Sequence, residues 1–267
     1  MSNSNLLEQS AENLSDRRRF LTRAGLMGLG VAATTMLGGS LGKIQAATTV
    51  TDADILNFAL NLEYLEGEFY SVASYGATLA ERGIIPHSAV GGPTMGGKMV
   101  PGFASSKVAY LASALRDDEA DHVVFLRKAL GSAAVKKPTI NLNALGFGFD
   151  NMNEFLRLSR VFEDVGVSAY AGAAPLLKNS TYVDAAARIL ATEAQHSGAI
   201  RTYVVMNGLS SPAVDSMDVP PTPQHPFFVD NMALSIPRTT SQVLKLVYGG
   251  GAHSGGFYPD GLNGTIK

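Results

Sequence analysis

The sequence predicts an all-α protein: four long helices forming a bundle with one long crossover, then an irregular C-terminal extension. Three observations carry that prediction. Four stretches of ~22–26 residues show helical spacing of apolar positions with start and stop signals. Strand patterns of comparable length are missing. The loop lengths suit an antiparallel bundle, since a helix of that length is ~35 Å long at ~1.5 Å per residue.

Ahead of the bundle, residues 15–23 read SDRRRFLTR, followed by the weakly apolar AGLMGLGVAATTMLGG (residues 24–39) and KIQAA. A polar start, a cationic patch and a Gly/Ala-rich apolar stretch describe an export signal. The run is too short and weakly apolar for a membrane span of ~20 residues. Arg17-Arg18-x-Phe20-Leu21 matches the twin-arginine pattern, read by an export machinery that carries folded cargo. Residues 1–47 are therefore assigned to a twin-arginine signal, in preference to an uncleaved anchor or a chance arginine run, and the protein to a periplasmic or extracellular location.

The first helix starts at Thr51 with Asp54 three residues later, a capping-box spacing, and runs to about Ser74 with Gly76 beyond. The second starts near Ser105 or Ser106 and stops before Gly131. The third starts at Asn151, with Glu154 three later, and ends around Pro175. The fourth starts near Thr181, with Asp184 three later, and ends before Gly208. About six residues join the third and fourth helices, which makes them a hairpin. Residues 131–150 can travel the whole bundle length at ~3.3 Å each. Residues 76–104 read as a tolerated insertion in preference to a lid. The bundle domain thus spans residues 48–208. Residues 209–267 form a Pro/Gly-rich extension with one short helix signal, TTSQVLKLVYGG, and are expected to wrap the bundle.

Composition narrows the chemistry. The 267 residues are 46% hydrophobic and 16% charged, with a net charge of −2, so nothing electrostatic points to nucleic acid. Cysteine is absent, which removes disulfides, thiolate metal sites and cysteine nucleophiles. A metal here would have Glu, Asp and His as ligands.

Residues 117–127 read DDEADHVVFLR and residues 191–201 read ATEAQHSGAIR. Both contain Glu-Ala-x-His with Arg five residues after the His: Glu119, His122 and Arg127, then Glu193, His196 and Arg201. Residues three apart share a helix face. Leu115 and Leu126 flank the first pair, and Ile189 and Ile200 the second, so the acids sit in apolar stripes where an unpaired carboxylate costs several kcal/mol. Helices one and three repeat as well. Glu63 precedes Tyr70 by seven residues, as Glu163 precedes Tyr170, whereas Glu66 and Glu68 align with Gly166 and Ser168. The chain is thus an internal repeat of a Glu…Tyr helix followed by a Glu-x-x-His helix. Counting from the helix ends puts Glu63, Glu119, Glu163 and Glu193 at one height. Four carboxylates together repel unless cations lie among them. Two divalent ions balance four carboxylates and leave His122 and His196 as neutral ligands. This is the helix order of di-iron and di-manganese bundles; oxygen and imidazole donors suit two iron or two manganese ions, and zinc is not excluded. The competing reading is a metal-free set of buried ion pairs. Arg127 and Arg201 fall off the ligand face and read as surface residues or as supports behind the ligands. Tyr70 and Tyr170 are core aromatics in preference to hydrogen-bond donors to the ligands or redox-active residues, and Glu66, one turn from Glu63, is a candidate additional or substitute ligand. His87, His225 and His253 sit in loops and are expected to be exposed.

With these motifs in place, the chain resembles bacterial ferritin-like proteins related to the plant desiccation-related proteins. LNFALNLEYLEGEFY, the two Glu-Ala-x-His helices and the ending QVLKLVYGG…GGFYPDGLNG carry the resemblance. It implies a di-iron or di-manganese centre working on dioxygen or peroxide, with Glu63, Glu119, His122, Glu163, Glu193 and His196 as ligands. The leading expectation is an exported oxidoreductase of stress protection acting on oxygen or hydrogen peroxide. Metal storage and a structural desiccation protein are the alternatives, and a homo-oligomer remains open.

Overall fold

The computed structural model describes residues 50–267, so the export signal read in residues 1–47 lies outside the described residues. Helix α1 spans Asp52–Tyr75. Its capping box closes as expected: the Asp54 amide donates to Thr51 Oγ1 at 3.2 Å, and the Thr51 amide to Asp54 Oδ2 at 2.8 Å. Gly76 ends it in the left-handed region and donates its amide to the Val72 carbonyl. Every residue from Ile55 to Ala73 is buried, so α1 is covered on all sides.

Helix α2 spans Ala109–Leu130, a later start than the serines at 105 and 106 suggest. Phe103 is buried and anchors a 3₁₀ turn, Phe103–Ser105, which uses up the expected first turn. Helix α3, Met152–Ala173, begins on an Asn151 cap that accepts the Glu154 amide at 3.1 Å. Helix α4, Ser180–Met206, is capped by Asn179, which places Thr181 inside its first turn. Helix α5, Thr240–Val247, is the short helix of the extension and carries its own capping box from Thr239 and Gln242.

Helix α1 packs along α2 and α3 along α4, and the two pairs meet through α1 and α3. The repeat in sequence is thus a repeat of helical hairpins about a shared middle. Phe69 occupies that middle, edge-on to Tyr70, Phe149 and Phe162 and stacked on Phe155. The all-α class and the four-helix architecture expected from sequence are what the structure has.

The loop at residues 76–104, expected as an insertion, is tied to the crossover. Within it, β1 (Thr94–Met95) pairs in parallel with β2 (Ile140–Asn141) of the crossover. Buried Lys137 binds the Gly92 and Pro138 carbonyls and Thr94 Oγ1. The two long loops are stitched together, because backbone that runs over a core must satisfy its polar groups.

The extension lies against α3 and α1. The Arg238 amide donates to the Ser168 carbonyl at 2.9 Å. A Cβ on Gly172 would stand 1.8 Å from the Arg238 carbonyl oxygen, so only glycine lets the strand of extension approach there. Tyr258 donates its hydroxyl to the Asn61 carbonyl at 2.7 Å, and the Asn61 side chain bonds the Asn263 backbone at 2.8 and 3.2 Å.

Candidate metal centre

Each hairpin delivers three of the six predicted side chains. Glu63 comes from α1, Glu119 and His122 from α2, Glu163 from α3, and Glu193 and His196 from α4. All four carboxylates are wholly buried. His122 Nδ1 lies 3.3 Å from Glu63, 3.2 Å from Glu119 and 3.4 Å from Glu193. His196 Nδ1 lies 2.8 Å from Glu119 and 3.3 Å from Glu163. The two rings are 6.2 Å apart, centre to centre.

These atoms form two overlapping groups, Glu63–Glu119–His122–Glu193 and Glu119–Glu163–Glu193–His196, whose donor atoms lie within 4.8 Å of one another. Glu119 and Glu193 belong to both. Although the atoms are close, most make no hydrogen bond: one oxygen each of Glu63, Glu119 and Glu163, both oxygens of Glu193 and His196 Nδ1 are buried and unsatisfied. Buried polar atoms are ordinarily paired, and a cluster of unpaired oxygen and nitrogen donors at one place fits the binding of cations. The donor set of carboxylate oxygen and imidazole nitrogen, without thiolate, fits iron or manganese.

The charge balance agrees. Burial pushes Glu119 up to about 7, against the two imidazoles that favour its charged form. Burial and then the charge on Glu119 hold Glu193 well above the carboxylate range. Burial works to lower both histidines, yet the surrounding carboxylates win, holding His196 up to about 12 and His122 higher. Glu63 goes the other way: burial raises it, but the charge on His122 brings it below its ordinary value. Without a cation, protons on the imidazoles and shared carboxylates must do the neutralising.

The tyrosines are both core aromatics and hydrogen-bond donors. Tyr70 of α1 donates to Glu163 of α3, and Tyr170 of α3 donates to Glu63 of α1. Each tyrosine thus serves the ligand of the opposite hairpin. Burial and the facing carboxylate hold both phenols well above their ordinary range, so they remain donors.

Glu66 is buried beside the centre but belongs to neither group of donor atoms. Burial, followed by the charges of Glu193, Glu119, Glu163 and Glu63, keeps its carboxyl far above the usual range. Its repeat partner explains the room. A Cβ on Gly166 would meet Glu193 Oε2 at 2.2 Å and Glu66 Oε1 at 3.2 Å.

The two arginines of the repeated motif part company. Arg201 is fully buried, donating to Asp164 Oδ2 and the Pro226 carbonyl at 2.6 Å each. It belongs to a network with Ser197, Arg160 and Asp218 that binds the extension to α3 and α4, so it is neither a surface residue nor a support of the ligands. Arg127 is half-buried and donates to the Tyr64 hydroxyl at 2.6 Å. His87, His225 and His253 are exposed, as expected. Sequence reasoning missed Asp118, whose Oδ2 lies 3.0 Å from His196 Nε2. The signal was there: Asp118 precedes His122 by four, and its repeat counterpart is Thr192. The Arg160–Asp164–Arg201 network left no such trace, because a lone arginine on a helix usually reads as surface.

A sequence profile of the ferritin-like domain matches residues 51–206, more than half of the chain. The chain belongs to the ferritin-like domain family. Among curated proteins, it is 24% identical to the ferritin-like catalase Nec2 of Nesocodon mauritianus over 80% of this chain and 84% of that one. It is 28% identical to the desiccation-related protein PCC13-62 of Craterostigma plantagineum over 58% of this chain, spanning about half (53%) of that relative's length. Within this ferritin-like bundle, the buried acidic and imidazole groups could hold metal ions.

Proposed function

We propose that this ferritin-like protein holds two iron or two manganese ions among Glu63, Glu119, His122, Glu163, Glu193 and His196, and acts on oxygen or hydrogen peroxide in stress protection outside the cytoplasm. The observation that carries the reading is the pair of overlapping donor groups sharing Glu119 and Glu193, with their buried atoms left unsatisfied. Such a centre supplies two adjacent ions that change oxidation state against a two-electron oxidant. The similarity to a ferritin-like catalase favours peroxide as the oxidant.

The chain's own residues have definite tasks in this reading. Glu119 and Glu193 are the shared carboxylates. Tyr70 and Tyr170 fix Glu163 and Glu63 by donating to them. Asp118 holds the proton on His196 Nε2, which turns the Nδ1 lone pair toward the other donors. The twin-arginine reading of residues 1–47 fits a protein that acquires its ions while folding in the cytoplasm, and the export machinery is then its partner.

Metal analysis of the full chain, with a peroxide assay on the same sample, tests the proposal. It requires two iron or manganese ions per chain and peroxide loss above that of buffer with the free metal. Metal-loaded protein that neither consumes peroxide nor oxidises Fe(II) overturns the redox function. The similarity to a desiccation-related protein supports a second reading, in which the centre only staples the bundle. Cellular protection that survives Glu119→Ala with Glu193→Ala selects it.

A further inference from the structure

A pocket of about 540 Å³ opens between α1, α3 and the extension. Leu62, Leu65, Val161, Phe162, Val165 and Phe257 form its apolar walls. Exposed Gln242, Lys245 and Gly250 mark its rim, and buried Glu66 and Gly166 its inner end. Behind Gly166 stands Glu193, which a single Cβ would strike. The pocket therefore ends on the carboxylate centre, on the side where the repeat has Glu66 facing glycine.

Its size and lining say what it holds. Oxygen and peroxide are comparable with a water molecule, whose share of liquid is ~30 Å³. A volume of 540 Å³ falls in the ~300–1,000 Å³ range of sites for organic molecules, which pair apolar walls with a few placed polar groups. Arg238 and Asp215 also line the cavity but pair with each other, which leaves Glu66, only 4% exposed, as the placed polar group at its inner end. We propose that this pocket binds an organic molecule with an apolar body and one hydroxyl group, the hydroxyl meeting Glu66 at the edge of the centre. The extension is then part of the binding site, supplying the wall formed by Val214, Leu246 and Phe257. As a substrate class for the proposed redox centre the inference rests on that reading; as a binding site it stands apart from it.

Isothermal titration of the metal-free and metal-loaded full chain with 4-propylphenol and with propylbenzene separates the two. The phenol is expected to bind about tenfold more tightly than the hydrocarbon, the worth of one buried hydrogen bond. Val214→Trp and Leu246→Trp fill the pocket from two different segments, and each should weaken both ligands at least tenfold while circular dichroism and metal content stay unchanged. Glu66→Leu should erase the advantage of the phenol. The proposal is overturned if neither compound binds, if both wall variants that fold bind as well as the parent, or if Glu66→Leu keeps the preference. Binding by a protein without peroxide turnover would leave the pocket in place and remove the redox function alone.

Discussion

The α1–α2 hairpin and the α3–α4 hairpin carry the same proposed ligands and matching tyrosines, and differ in much of what lies around them. Glu63 and Glu163, Glu119 and Glu193, His122 and His196, Tyr70 and Tyr170 match pairwise, and each tyrosine crosses to the other half. Outside that set the halves diverge. Glu66 faces Gly166, Asp118 has Thr192 as counterpart, and Arg127 on a tyrosine hydroxyl corresponds to Arg201 in a buried ion pair. The difference teaches that charge balance asks for the same acids and imidazoles from both halves, while the surroundings serve other ends, both hairpins anchoring the extension through different groups, Asn61 in the first and Arg160 with Arg201 in the second. It also makes the two halves of the centre unequal. His196 has an acid behind it, whereas no carboxylate of the described residues lies within 4 Å of His122 Nε2.

The strongest way to break the comparison is to remove a shared carboxylate. Glu193→Ala should abolish binding at both halves, since Glu193 belongs to both donor groups; Glu163→Ala should spare one. Metal content per chain distinguishes them, and equal losses would mean the halves do not share Glu193.

Next come the arginines. Arg201→Ala takes from buried Asp164 the nearer of its two guanidinium partners, leaving Arg160 at 3.5 Å, and should cost ~2–3 kcal/mol in denaturant unfolding. Arg127→Ala, at the matching position, removes a half-buried hydrogen bond to a neutral hydroxyl and leaves no buried charge unpaired, a loss of ~1 kcal/mol. Similar losses would deny the asymmetry.

How far was this legible from the sequence? The helices were, because each of the four long ones carries a long apolar pattern and most carry a cap; Thr51 with Asp54 and Asn151 with Glu154 sit where the spacing put them. So was the meeting of six side chains, since matched heights follow from counting residues along antiparallel rods. The start of α2 was not, because the anchor, Phe103, lies outside the helical pattern. Nor was the role of the first loop, which depends on β1 finding β2 some forty-five residues on. Arg201 misled for a related reason: its partner Asp164 is on another helix, and only packing shows that both are buried.

A smaller effect sharpens the inequality. Asp118→Asn should weaken one of two bound ions by ~10–100-fold and leave the other, as loss of a group behind a metal-ligating imidazole does. Stepwise Mn²⁺ titration reads this directly. Thr192→Asp should strengthen the weaker step.

The gentlest effect is on pH. Glu119 is raised from 4.5 to about 7 in the fold, so the native state binds its proton more tightly than the unfolded chain, and metal-free stability should fall as pH rises through that window. His196, raised from 6.5 to about 12, contributes stability that is full below 6.5 and lost as pH climbs toward 12. Both push the same way. Cations replace these protons, so the gain in Tm on adding Mn²⁺ should grow from pH 5 to pH 8. A gain that shrinks across that range would contradict the proton inventory of the centre.

The central claim is that two ions share Glu119 and Glu193. Electron paramagnetic resonance of the Mn²⁺-loaded full chain tests it most directly, because two ions joined by carboxylates couple magnetically and isolated ions do not. The account predicts two manganese per chain and a coupled-pair spectrum that Glu193→Ala eliminates. A six-line spectrum of isolated Mn²⁺ at full loading, or no stoichiometric binding of manganese or iron, would contradict it.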